Sequence, residues 1–216
     1  MTSRLSVPDP PASSALDPLT ETWEPGRLLI RCHRAEYGAT EFNPGKGSPG
    51  RFGPFLDAKG DSVPFLYAAD SIHGAISETL FHDVPVRGPG RAILHSRLLP
   101  MLVSTLASRR ALTLVQLHGF GLRRLQVSRV ELIESKASQY QRTAAWARAL
   151  HACRPDADGL VWISRQHDSS RALILFGDRL QRKDLEIVEA PLSLYDGIGL
   201  EKVQVAAEKA GIAILE

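Results

Sequence analysis

Between Gly38 and Pro64 the chain carries six glycines and four prolines. Neither an α-helix nor a central β-strand tolerates that density, because proline removes a backbone donor and glycine leaves a strand without side chains to pack. The segment is therefore a long loop, ordered or mobile, and loops of that length usually serve a site. Before it stands an apolar, β-compatible run, Arg27 to His33, set off by the breaker pair Pro25 and Gly26. After it comes FLYAA, Phe65 to Ala69, which reads as a short buried strand. Gly45, Gly47 and Gly50 spell GxGxxG, but a dinucleotide-binding turn joins a strand directly to a helix N-terminus. Here the preceding strand ends well before Gly45, and Pro49 and Pro54 oppose a helix start, so the context of that motif is missing.

Asp70 or Ser71 can cap the helix that follows FLYAA. Ile72, Ala75, Ile76, Thr79 and Leu80 recur at helical spacing and predict its buried stripe. At 100° per residue Glu78 lies about 130° from the centre of that stripe, pointing away from the core behind the helix. Further strands are expected at Arg91 to His95, Leu98 to Leu106 and Leu112 to Leu117. Ser135 to Cys153 has the periodicity of a long helix, ended by Pro155. Gly159 to Ser164 and Ala172 to Phe176 read as a hairpin with a long polar connection, Leu200 to Lys209 as a helix and Ile212 to Leu215 as extended chain. The result is an α/β (α+β) reading with strands dominating the centre and no internal repeat.

A length of 216 residues with 44% hydrophobic and 23% charged side chains fits one soluble globular domain, residues 27–216, preceded by a proline-rich, loose or draped arm, residues 1–26. A formal charge of +2 gives no field on the scale of a dedicated nucleic-acid binder. Cys32 and Cys153 make neither a disulfide framework nor a metal-ligand spacing, so no metal site is expected and both read as buried thiols in a reducing cytoplasm. The arm lacks the apolar run of a secretory signal. The uncharged stretch Leu98 to Ser108 contains Pro100 and is far shorter than the roughly 20 residues that span a bilayer. No GxSxG, HExxH, P-loop or EF-hand pattern is present.

Three stretches remain, in order: GKGSPGRFGPF with Arg51, LYAADSIHGAISETLF with Tyr67 and Glu78, and GLVWISRQHD with Ser164. Taken singly, Tyr67 reads as a core aromatic, Glu78 as a solvated helix residue, Arg51 as a surface charge and Ser164 as a turn hydroxyl. In this order and combination they resemble the RES domain, named for its arginine, glutamate and serine. Its members read as an arginine-rich first strand, a glycine-rich loop ending in GR plus an aromatic, LY-x-A, a helix bearing ET or EL, and a later strand ending in SR. The likeness covers about residues 27–179, leaving residues 180–216 as a C-terminal extension. It implies a fold like that of ADP-ribosyltransferases, a mixed, split β-sheet core flanked by helices. It also implies cleavage of NAD⁺ by water or inorganic phosphate, or transfer of its ADP-ribose to a protein, with NAD⁺ as substrate and no cofactor. A protein partner is implied as well, an Xre-like antitoxin whose C-terminal tail plugs the active site.

The residue types suit that chemistry. Nicotinamide leaves NAD⁺ without needing a proton and leaves an oxocarbenium-like ribose, so one carboxylate near the sugar, Glu78, stabilises the developing cation and orients the acceptor. Arg51 presents a planar fork that matches diphosphate oxygens, Tyr67 a ring face for the nicotinamide, and Ser164 a positioning hydroxyl for a phosphate or for Glu78. Arg31 and Tyr37 are candidate phosphate and nucleotide contacts, the former equally readable as a solvated edge cation like Arg34; Asn43 and Phe52 are candidate nucleotide contacts within the loop. His167 reads as polar surface. A non-enzymatic nucleotide- or RNA-binding module would use the pairs Arg109, Arg110 and Arg123, Arg124, which read better as solvated faces. Either terminal segment is placed to bury an edge or a homodimer contact.

Overall fold

The computed structural model describes residues 6–216. Ten strands and five α-helices alternate irregularly, as expected for an α+β chain: β1 (Thr20–Trp23), β2 (Leu28–Arg34), β3 (Phe65–Ala69), α1 (Ile72–Thr79), β4 (Ala92–Leu94), β5 (Met101–Ser108), β6 (Leu112–Gln116), α2 (Phe120–Arg124), α3 (Arg129–Leu132), α4 (Tyr140–Cys153), β7 (Gly159–Ile163), β8 (Arg171–Phe176), β9 (Leu185–Ser193), α5 (Gly197–Ala210) and β10 (Ala213–Leu215). Eight strands form one sheet in the order β1-β6-β7-β8-β3-β2-β5-β9, and β4 pairs with β10 apart from it. All neighbours in the large sheet are antiparallel except β6 and β7. That parallel pair encloses α2, α3 and α4, the crossover it needs.

The sheet is split in its middle. β3 pairs with β8 through five residues and β2 with β5 through seven, yet β2 and β3 share the single pair Ile30 and Ala69. Each half keeps its own helical cover on one face. Trp146, Ala147 and Leu150 of α4 pack on Phe52, Leu160, Trp162 and Ile174 over one half. Ala75 and Ile76 of α1 and Val203 and Ala207 of α5 pack on Ile30, Ala69 and Val103 over the other. The opposite face curls on itself, so that Leu29 and Leu106 meet Leu112, Leu114 and Leu173 in one cluster. The split thus opens between α1 and α4.

Several sequence expectations are corrected here. Of the arm expected over residues 1–26, residues 1–5 lie outside the described residues and the rest is draped and structural: β1 forms the sheet edge against β6, Trp23 and Val7 are buried, and Trp146 Nε1 donates to Pro8 O at 2.7 Å. Leu98 lies in a 3₁₀ turn over residues 95–98, and the strand starts after Pro100, running to Ser108. Ser135 to Gln139 is loop and one 3₁₀ turn before α4 begins. The segment at Arg91 to His95 contributes only the three residues of β4. β9, α2 and α3 have no counterpart in the sequence reading. The Gly38 to Pro64 loop is ordered by isolated bridges between Asn43 and Phe65, Gly50 and Gly53, and Leu56 and Ser62. Among the described residues no helix is long and apolar enough to cross a membrane, and no group of three or more His, Cys, Asp or Glu side chains is placed to hold a metal ion.

Candidate active site

A cleft of about 400 Å³ occupies the split, with Ile30 and Cys32 of β2, Tyr67 and Ala69 of β3, Glu78 of α1 and Tyr140 of α4 among its walls. Ser71 caps α1 by accepting from Gly74 N at 3.0 Å, which fixes the helix rotation. Ala75, Ile76 and Leu80 then face the core, as their spacing predicts, whereas Thr79 lines the cleft beside Glu78. Gly74 is required at the contact: a Cβ there would sit 2.7 Å from the Ser170 Cβ.

Glu78 is held through one oxygen. Ser164 Oγ donates to Glu78 Oε1 at 2.6 Å and the backbone N–H of Arg165 donates to the same atom at 2.9 Å. The Ser164 hydroxyl is itself oriented, since it accepts from the backbone N–H groups of Gln166 at 3.2 Å and His167 at 3.1 Å. With its lone pairs engaged and its side chain fully buried, its proton has one acceptor, Glu78. Oε2 carries no hydrogen bond among the described residues, so the carboxylate presents a free acceptor in the cleft.

Arg51 is only 7% exposed. Its Nη1 donates to Ser135 O at 3.1 Å and to Ser135 Oγ at 2.9 Å, its guanidinium carbon lies 5.4 Å from the Tyr140 ring centroid, and its buried Nε has no partner among the described residues. Burial lowers the Arg51 pKa, which Tyr140 and Glu78 partly offset. Thr143 Oγ1 donates to Arg51 O, tying the loop to α4. Tyr67 lies edge-on to Trp162 with centroids 6.3 Å apart, and its hydroxyl accepts from Phe52 N at 3.0 Å. Burial raises the Tyr67 pKa, so the hydroxyl keeps its proton. Gly50 lies against this ring, where a Cβ would come within 3.0 Å of the hydroxyl oxygen. Cys32 is likewise held as a thiol, burial pushing its pKa up to about 12.

The structure brings Arg51, Tyr67, Glu78 and Ser164 together and leaves four other candidates elsewhere. Ile30 and Cys32 face the cleft, so strand alternation turns Arg31 to the opposite side. There Arg31 Nη1 donates to the carbonyls of Gly38, Ala39 and Glu41 at 3.3, 2.7 and 2.7 Å, closing the start of the loop. Tyr37 belongs to the turn after β2, its N–H bonded to Arg34 O at 3.1 Å. Asn43 Oδ1 accepts from Gly45 N and Lys46 N, shaping the loop without lining the cleft. Phe52 is fully buried against Trp162 at 5.0 Å, a core residue. Two cleft residues that the sequence reading passed over are Arg165 and Tyr140. For Arg165 a signal existed, a cation directly after the strand-end serine; for Tyr140 none did.

The chain matches the RES domain family over residues 28–194. It belongs to the RES-domain family. The match runs through β9, so the family core extends beyond residue 179. Among solved structures, the chain is similar to one in the crystal structure of the M. tuberculosis MbcT–MbcA toxin–antitoxin complex, with 15% identity and a TM-score of 0.58, covering 84% of this chain and 92% of that one. The likeness supports the split-sheet α+β fold. Comparison with curated proteins finds no match.

Proposed function

We propose that this RES-domain chain cleaves NAD⁺ at the nicotinamide–ribose bond and acts as the toxin of a toxin–antitoxin pair. The observation that carries the reading is Glu78: one carboxylate oxygen is pinned by Ser164 and Arg165 and the other faces a cleft walled by aromatic rings and guanidinium groups. Such a carboxylate suits a reaction whose charge develops on a sugar. As the C–N bond breaks, its electron pair leaves with nicotinamide, which departs neutral, and the positive charge passes to the ribosyl ring. Glu78 Oε2 stabilises that charge and accepts a hydrogen bond from a ribose hydroxyl. Because its donors are fixed beforehand by the Ser164 turn, little reorganisation is needed at the moment of reaction.

Tyr67 offers its face to the nicotinamide ring, and Arg51 directs its free donors to the diphosphate. Water attacking the ribosyl carbon gives ADP-ribose and releases a proton; inorganic phosphate gives the 1-phosphate. The family and the MbcT–MbcA likeness support a toxin role and, with it, an Xre-type antitoxin that covers this cleft. An RNA-binding module is disfavoured, because Arg109 pairs with Glu186, Arg110 with Asp158 and Arg124 with Asp17.

Mass spectrometry after mixing the protein with adenylate-labelled NAD⁺, with and without inorganic phosphate, tests the reading. Nicotinamide with free ADP-ribose or its 1-phosphate is expected. Label carried on a macromolecule assigns the chain to protein ADP-ribosylation instead, and intact NAD⁺ overturns the proposal.

A further inference from the structure

Arg51 is not alone in its wall of the cleft. Arg165 Nη1 donates to Ser135 O at 3.2 Å, the same carbonyl that Arg51 Nη1 approaches at 3.1 Å. Two guanidinium groups therefore converge on one neutral acceptor. Neither makes a carboxylate ion pair among the described residues, whereas the part-buried Arg110 and Arg129 do. Holding two like charges together costs Coulomb energy at close range, and Arg165 is among the charges that, after burial itself, lower the Arg51 pKa. Arg51 Nε is buried without a partner among the described residues, and Arg165 Nε and Nη2 carry no protein hydrogen bond there, so both guanidinium groups keep donors to spare.

From this we infer that Arg165 is a second anion-binding arm, and that Arg51 and Arg165 together take the diphosphate of a dinucleotide rather than the single phosphate of a mononucleotide. The choice of ligand rests on the NAD⁺ reading; the pairing rests on the Ser135 geometry. Charge matching supports it. A diphosphate diester places one negative charge on each of two phosphates, one for each guanidinium, whereas a mononucleotide gathers about two on a single phosphate; Glu78 meets the positive nicotinamide-ribosyl end. Planar guanidinium forks bind such oxygens in pairs, which an ammonium group does not reproduce. Arg165 also places its backbone N–H on Glu78, so one residue sets the distance between the diphosphate and the reacting sugar.

Calorimetric titration of ADP-ribose and of AMP into the wild-type chain, Arg165→Ala and Arg165→Lys tests this without relying on turnover. In Arg165→Ala, ADP-ribose affinity is expected to fall about tenfold to a hundredfold, as for loss of charge-assisted hydrogen bonds. AMP affinity falls much less, and Arg165→Lys restores part of the difference. Circular dichroism melting of each variant checks that it is folded. Equal losses for ADP-ribose and AMP, undiminished ADP-ribose binding by a folded Arg165→Ala, or no binding of ADP-ribose by the wild type overturns the inference. Wild type that binds ADP-ribose through Arg165 but leaves NAD⁺ intact supports the clamp and removes the cleavage reading, so the two fail separately.

Discussion

Ser164 has no sequence-adjacent base to make it a nucleophile, and its surroundings explain its place in the site. Two backbone N–H groups occupy its lone pairs and leave its proton to Glu78. Ser164→Ala removes one of the two donors to Glu78 Oε1; NAD⁺ turnover is expected to fall about tenfold to a hundredfold, through kcat more than KM, measured by steady-state kinetics. Arg51→Lys keeps the charge but loses the fork, and weaker NAD⁺ binding by calorimetry is the expected outcome. Buried His33 tests a different residue-level statement. Its Nδ1 bonds the Arg34 carbonyl at 3.0 Å and its Nε2 the Ser104 hydroxyl at 2.8 Å, an arrangement for the neutral ring. Burial, followed by smaller contributions including nearby Arg31, holds its pKa below 6.5. The unfolded chain thus binds the proton more readily. The stabilising contribution is complete above about pH 6.5 and is lost as pH falls toward the folded value. Urea denaturation at pH 7.5 and 5.5 is expected to show a drop that shrinks in His33→Gln. At this scale the clustering of Arg51, Tyr67, Glu78 and Ser164 was legible because their order along the chain is a pattern. Arg31, Tyr37, Asn43 and Phe52 misled because lying near a glycine-rich loop does not say which way a side chain points; for Arg31, the two-residue alternation of β2 did.

The elements that bear the site were legible where hydrophobic periodicity is strong. α1, α4, β3, β7 and β8 each bury a face rich in apolar side chains. β9 escaped because most of its residues are exposed on the sheet edge and it carries Glu186, Glu189 and Pro191, a composition that resembles a loop. α2 and α3 span five and four residues, too few for a helical stripe to repeat. Two contacts between elements give stability predictions. Gly74→Ala forces α1 away from Ser170, the residue just before β8, and about 1–3 kcal/mol of destabilisation is expected from overpacking, with reduced turnover because Glu78 moves with the helix. Arg110 donates to both oxygens of buried Asp158, at 2.9 and 2.6 Å, while Thr113 N donates to the same carboxylate at 2.9 Å. Arg110→Ala leaves that carboxylate underpaired at the β6–β7 junction, and urea denaturation is expected to show a loss of about 1–3 kcal/mol.

Across the whole molecule, the candidate site follows from a sheet that nearly divides. One shared pair joins β2 to β3, the two halves keep separate helical covers, and the divergence between them makes room for the cleft that Glu78, Arg51 and Tyr67 line. The general class was readable in the sequence, since strands dominate its centre and a long loop interrupts them. The split was legible only through the family resemblance, because it arises from how the strands pair, which local periodicity does not encode. The most direct test of the central claim, that the Glu78 carboxylate drives loss of nicotinamide, is to measure nicotinamide release from NAD⁺ by the wild-type chain and by Glu78→Gln, side by side, with both shown to be folded. Release by the wild type and its near-complete loss in the variant is the predicted result; equal release by the two contradicts the account.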